Sequence, residues 1–226
     1  LTFAVAAHDF ATLAAEKGLR ISEDTARSIM AAMATSRLVV VRNMPNETFA
    51  SLLGVLSEYL SCPLCMEAVD ETYTNEGAVL FHTTAAMNAR LESRVKVAMT
   101  SAQSRERNLH IAALTNVSWQ QLSAYFVPFA RYARAPFSSC RVTVTTDNGQ
   151  VTPYRIPENL WFFLNLLPGE TLVGIPDYVA DIATIHTWVV EPTAPTVGGH
   201  TQFRQFYYGQ MLYLTDRMKD ASVVDE

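Results

Sequence analysis

Apolar positions along this chain alternate between a helical spacing and short unbroken runs. After Ser22, the residues Ala26, Ile29, Met30 and Met33 recur at i, i+3, i+4 and i+7, which predicts an amphipathic helix. Ser22 is its natural N-cap, with Glu23 and Asp24 in the first turn. Leu38-Val39-Val40-Val41 comes next, a β-branched run of the kind buried on both faces of a parallel sheet. A second helix carries Phe49, Leu52, Leu53, Leu56 and Leu60 on one side. Cys65–Val69 reads as a strand, a helix is expected over Thr84–Ser101 with Met87, Leu91, Val95 and Met99 inward, and His110–Leu114 reads as another buried strand. Trp119–Arg134 is helical in pattern, with Leu122, Tyr125, Phe126 and Phe129 on one face.

Two β-prone runs, Arg141–Thr145 and Val151–Tyr154, flank Asp147-Asn148-Gly149, a strong hairpin signal. Leu160–Leu166 is apolar almost throughout and predicts a central strand. A short helix near Pro176–Ala183, a strand over His186–Glu191, a linker over 192–202 and a final helix over Phe203–Lys219 complete the pattern. Strands that alternate with helices predict an α/β domain over residues 1–191, built on a mostly parallel, helix-covered sheet with a β-hairpin insertion.

Composition narrows the function. In 226 residues, 49% are hydrophobic and 17% charged, which excludes a disordered or low-complexity chain. Seventeen basic against 22 acidic residues leave a net charge of −5, the wrong sign for sequence-independent nucleic-acid binding. No apolar run reaches the roughly 18–20 residues of a membrane span. The chain starts Leu-Thr-Phe, without an initiator Met or a signal-peptide pattern, and reads as a processed chain or fragment. Three cysteines, Cys62, Cys65 and Cys140, are too few and odd in number for a disulfide framework, so a reducing, cytoplasmic setting is expected. Cys62-Pro-Leu-Cys65 lies at the wrong end of a helix for a redox pair and lacks the further ligands of a zinc site. His82, His110 and His186 fall at strand positions and read as structural, and Asp70, Glu71 and Glu76 as a solvated acidic rim.

Ligands of open α/β sheets sit beyond the carboxyl ends of the strands, so the stretch Arg42–Ala50 after the first strand is the first candidate. The order helix, Leu-Val-rich strand, Met-Pro loop and helix resembles the phosphate-loop region of an AAA+ ATPase, closest to the McrB-type members. His110–Leu114 followed by Thr115-Asn116 looks like that family's Walker B strand. Ile156-Pro157-Glu158-Asn159-Leu160-Trp161-Phe162 is similar to its approach to sensor 1 and is the most specific motif. The resemblance covers about residues 19–191 and implies a P-loop NTPase-like fold, with the final helix beginning a lid subdomain or serving as an interaction helix.

The resemblance also implies which positions should hold nucleotide, and none carries the required group. Walker A needs glycines to wrap phosphate, a Lys to neutralise it and a hydroxyl for Mg²⁺; the corresponding residues are Asn43, Thr48, Phe49 and Ala50. Walker B needs a metal-binding Asp and a water-activating Glu; Thr115 and Asn116 stand there. The sensor position falls at Leu167, within one residue, and the arginine-finger place reads Asp181-Ile182-Ala183, with Arg131 and Arg134 elsewhere. At least two charge-assisted contacts of about 1.5–3 kcal/mol each are missing. No cofactor, no metal and no useful ATP affinity are expected. The expected role is a catalytically inactive AAA+-like structural or protein-interaction module, whose partners are other protein domains or subunits.

Two rivals remain at this point. One is a regulatory domain that binds a nucleotide or other small ligand without hydrolysis. The other is an enzyme whose site draws on His110, Glu158, Asp177 or Cys140. Self-association is expected to stop at a monomer or a nucleotide-independent dimer. Its contact would be the C-terminal face Phe203, Phe206, Tyr207 and Met211, since Tyr125, Phe126, Phe129 and Tyr132 read as the domain's own core.

Overall fold

Four of the predicted apolar runs, joined by one short strand, form a single parallel sheet in the computed structural model, which describes residues 3–84, 89–134, 140–145, 149–196 and 211–212. The chain begins with α1 (Phe3–Glu16), β1 (Leu19–Arg20), α2 (Glu23–Thr35), β2 (Leu38–Val41), α3 (Asn46–Tyr59) and β3 (Leu64–Ala68). A 3-10 turn at Glu76–Val79 leads to β4 (Phe81–Thr84), β5 (Ala89–Glu92), α4 (Arg94–Ser104) and β6 (His110–Val117). Next come α5 (Trp119–Tyr125), α6 (Val127–Arg134), β7 (Arg141–Thr145), β8 (Val151–Arg155) and β9 (Leu160–Leu166). The last elements are α7 (Asp177–Ala180), β10 (Thr184–His186) and β11 (Glu191–Pro192).

The sheet order is β10-β2-β9-β6-β3, with every neighbouring pair parallel. Side chains of each strand alternate between two cores. Val39, Val41, Ile111, Ala113, Trp161 and Phe163 face the layer of α1, α2 and α3. Leu38, Val40, Ala112, Leu114, Phe162 and Leu164 face the opposite layer, with Val95 and Met99 of α4, Leu122 of α5 and Phe129 of α6. Both faces are therefore dry, which is why these strands are apolar throughout rather than alternating. The aromatic residues Tyr125, Phe126, Phe129 and Tyr132 are fully buried, as their spacing predicts.

The heptapeptide that resembles the sensor 1 approach does structural work at the amino end of β9. Asn159 is 3% exposed, and its Nδ2 lies 2.7–3.2 Å from the carbonyls of Ala102, Arg105 and Asn108, tying down the end of α4. The single Tyr132 O–H proton is shared between the carbonyls of Pro157 (2.6 Å) and Leu160 (2.9 Å). Trp161 Nε1 donates to the Met33 carbonyl at 2.9 Å, while the Arg37 guanidinium covers its ring.

Several expectations need correction. The helix expected over Thr84–Ser101 is instead the hairpin β4–β5 followed by α4. Ser93 caps α4 by accepting from Lys96 N, so the helix starts there and Leu91 pairs across the hairpin with His82. Met87 lies outside the described residues. The helix over Trp119–Arg134 breaks after Tyr125, because Pro128 near the start of α6 has no N–H to continue the ladder. The strand over His186–Glu191 divides into β10, in the main sheet, and β11, which pairs antiparallel with β1. The expected linker from 192 begins as packed chain: Thr193 N and Thr196 N donate to the carbonyls of Gly18 and Ala15. α1 precedes the first predicted helix. Its buried Ala6, Phe10, Leu13 and Ala14 keep helical spacing, but alanines give a weak periodic signal. Of the C-terminal helix only residues 211–212 are described; they are helical, and Met211 is fully buried in this chain's own core. Phe203, Phe206 and Tyr207 lie outside the described residues, as do 146–148 of the predicted hairpin turn.

Candidate functional site

Because β2 lies between β9 and β10, and β9 lies beside β6, the carboxyl ends of β2, β6 and β9 meet at the N-terminus of α3. The connection from β2 to α3 is only Arg42-Asn43-Met44-Pro45. Asn43 turns the chain at φ 55°, a left-handed conformation that Asn tolerates better than most residues. Pro45 then sets the first helical turn, and Phe49 N already donates to the Pro45 carbonyl at 2.9 Å. Asn46, Glu47 and Thr48, which on the Walker A register should be loop wrapped around phosphate, are therefore helix.

That early start fixes where the register's key residues point. Phe49, where the resemblance would place the Lys, is fully buried in the core cluster that also takes in the apolar faces of α1 and α2. Thr48 is 8% exposed and Ala50 half-buried, so neither presents a group to the notch. Glu47 puts a carboxylate in the first turn of α3, where its charge suits the helix dipole and opposes an incoming phosphate. Arg42, the loop's one basic residue, turns its guanidinium toward the Glu170 carbonyl (3.4 Å).

The notch itself is closed by amides. Asn165 is fully buried near the end of β9, in register with Val41. Its Nδ2 donates to the Met44 carbonyl (3.0 Å) and to Asn46 Oδ1 (2.8 Å), and the Met44 carbonyl fixes which way the amide faces. Asn46 Nδ2 in turn donates to Asn116 Oδ1 at 2.7 Å. Asn116 can reach because β6 shifts register between Leu114 and Val117, and the residue takes φ 59° there. A bulge of this kind re-aims a side chain at the end of a strand. The outcome is a neutral relay, Asn165 to Asn46 to Asn116, across the place a triphosphate and its metal would occupy on the AAA+ register. Asn165 Oδ1, at the closed end, has no partner among the described residues.

Thr115 and Leu167, the other positions that the AAA+ resemblance singles out, fall outside this relay. Thr115 is buried, and its carbonyl accepts from Val69 N at 2.9 Å, so its backbone serves the sheet edge. Leu167 stands just past β9, exposed, with its N–H on the Val117 carbonyl. The polar residue at the notch is Asn165, two positions earlier. Its signal was present in the sequence as the single polar residue within Leu160–Leu166. Asn46 carried no such signal.

Of the residues of the enzyme alternative, His110, Glu158 and Cys140 come from segments near the amino end of β9, where His110 N donates to the Asn159 carbonyl and Ile156 N to the Cys140 carbonyl, and Asp177 belongs to α7. His110 is buried at the amino end of β6, between Ser101 Oγ (3.1 Å) and the Asn108 carbonyl (3.1 Å), and burial holds its pKa below the ordinary imidazole value. Glu158 faces Arg155 at 3.7 Å, Asp177 sits in the first turn of α7, and Cys140 lies half-buried before β7. His82 is held by Glu67, and His186 stacks on Trp188 with Nδ1 3.5 Å from Ser28 Oγ. Among the described residues, no group of three or more His, Cys, Asp or Glu side chains is placed to hold a metal ion. No helix among them is long and apolar enough to cross a membrane. No protein-family model and no curated protein sequence matches this chain.

Proposed function

We propose that this chain is a catalytically inactive AAA+-like domain that works as a structural or protein-interaction module and does not hydrolyse ATP. A five-stranded parallel sheet covered by helices on both faces is compatible with a P-loop-like fold. The observation that carries the reading is the amide relay Asn165–Asn46–Asn116, together with the buried ring of Phe49. A triphosphate needs cations and free N–H groups converging on one point, and a catalytic magnesium needs a carboxylate. Here uncharged amides hydrogen-bond in series at that point, and the α3 N-terminus carries Glu47. Losing two charge-assisted contacts weakens binding by about 3–6 kcal/mol, or roughly two to four orders of magnitude.

Differential scanning fluorimetry with ATP and Mg²⁺ tests the proposal, since a ligand that binds only the native state raises its melting temperature. No shift at millimolar nucleotide is expected. A clear shift abolished by chelator would overturn the reading. Light scattering with and without ATP provides a second arm, in which growth toward a nucleotide-dependent ring would be equally fatal. A second reading is a regulatory domain that takes a small ligand without hydrolysis, and the unpartnered Asn165 Oδ1 favours it. Native mass spectrometry of freshly purified protein separates the two.

A further inference from the structure

The hairpin β7–β8 has two edges, and their chemistry differs. Ile156 N donates to the Cys140 carbonyl at 2.9 Å, which makes Cys140 and Ile156 a hydrogen-bonded pair. In an antiparallel ladder such pairs alternate with non-bonded ones. Val142–Tyr154 and Val144–Thr152 are therefore bonded pairs, whereas Arg141–Arg155, Thr143–Pro153 and Thr145–Val151 are not. Backbone groups of the second set point away from the hairpin. Two contacts agree: the Thr145 carbonyl accepts from Arg90 (3.1 Å) and the Arg155 carbonyl from Gln103 (2.9 Å).

On β8 this puts Pro153, which has no N–H, in the middle of the outer edge, blocking any added strand there. On β7 it aims the N–H and C=O of Thr143 outward, with no partner among the described residues. That open edge lines a cleft of about 680 Å³ between β7, β4 and the polar loop around the 3-10 turn. Its apolar lining is small, from Ala78, Ala124 and Val144 beside Phe81. Glu76 brings a half-buried carboxylate with no ion pair among the described residues, while Arg90 is engaged at the Thr145 carbonyl.

We infer that this cleft receives an extended segment of another protein chain, which adds as a strand along the edge of β7 and pairs with the Thr143 backbone. Strand addition takes its affinity from main-chain hydrogen bonds and its selectivity from alternate side chains. The segment should carry small apolar residues at positions facing Ala78, Ala124 and Val144, and a Lys or Arg opposite Glu76. This names the partner chemistry of the interaction module proposed above and rests on that reading.

Selection of random octapeptides displayed on phage against the whole chain, followed by anisotropy titration of the enriched peptides, tests the inference. Peptides with alternating small apolar residues and one basic residue are expected. Thr143→Pro removes an N–H that the hairpin does not use, and should weaken these peptides about tenfold or more. Pro153→Thr should leave them unchanged. Should Thr143→Pro fail to fold by circular dichroism, Glu76→Lys and Ala124→Arg take its place, the former exchanging the basic preference for an acidic one. The inference is overturned if no peptide enriches, or if the enriched peptides bind folded Thr143→Pro or the two replacement variants as they bind the parent chain. Nucleotide-dependent melting reads the inactivity of the notch separately, so each idea can fail while the other stands.

Discussion

Placing a lysine at Phe49, where the proposed AAA+ register would have one, provides a severe test of how α3 begins. Phe49 is 0% exposed and lies in the core formed by α1, α2 and the sheet. Replacing a buried Phe with Ala typically costs about 3–5 kcal/mol. Phe49→Lys removes the same ring and must in addition bury an ammonium or distort the first turn of α3 to bring it to water, with only part of the loss recovered by the Lys stem. A loss of at least about 4 kcal/mol is expected, a large share of the roughly 5–15 kcal/mol that holds a typical domain together. In a chain of this size that lowers Tm by roughly 8–16 °C. Urea unfolding followed by circular dichroism would measure it as a fall in midpoint at unchanged m-value. Phe49→Ala provides the reference for the ring alone. The variant should gain no thermal shift with ATP and Mg²⁺. The reasoning is refuted if Phe49→Lys keeps the parent stability within about 1 kcal/mol, a margin ordinary for exposed sites. A nucleotide-dependent rise in its Tm would refute it equally, because either result would mean that the side chain faces an open site.

Other consequences can be checked on the same material. Asn159→Ala strips a buried donor from the carbonyls at the end of α4 and should destabilise by about 2–4 kcal/mol, with amide exchange rising first in α4. Asn46→Ala breaks both links of the relay and should cost about 1–2 kcal/mol without creating any nucleotide response, read by the same urea and fluorimetry assays. Burial holds the imidazoles of His110 and His186 below the ordinary value of 6.5. The unfolded chain then takes up protons first, so the stability these groups contribute is complete above pH 6.5 and falls as pH drops through that value. Urea midpoints at about pH 8 and about pH 5.5 should show the fall, and His110→Gln should flatten it. Burial pushes the Cys62 thiol up to about 12 and raises that of Cys65, so iodoacetamide at about pH 8 should leave Cys62 unmodified in the native chain, as intact mass would report.

Local physics made the element types readable: largely apolar runs at Leu38–Val41, His110–Leu114 and Leu160–Leu166, and a capped, 3.6-periodic α2 after Ser22. The parallel α/β class follows from the apolar pattern alone, and the lack of a basic or acidic residue at Asn43, Thr48–Ala50, Thr115 and Asn116 follows from residue identity. Which way a residue faces, and what meets it, depends on packing across the whole chain. Asn165, Asn46 and Asn116 are separated by 119 and 70 positions and converge only because the sheet order brings three strand ends together and a bulge turns Asn116. Phe49 is core rather than loop because Pro45 starts α3 one turn before the Walker A register would have it. Leu91 obeys a helical spacing with Met99 yet sits in a hairpin, since Ser93 provides a better helix start than anything upstream. Periodicity records the face a residue buries within its own element, while strand order, register and the outward groups of β7 are decided between elements, by contacts that no local pattern encodes.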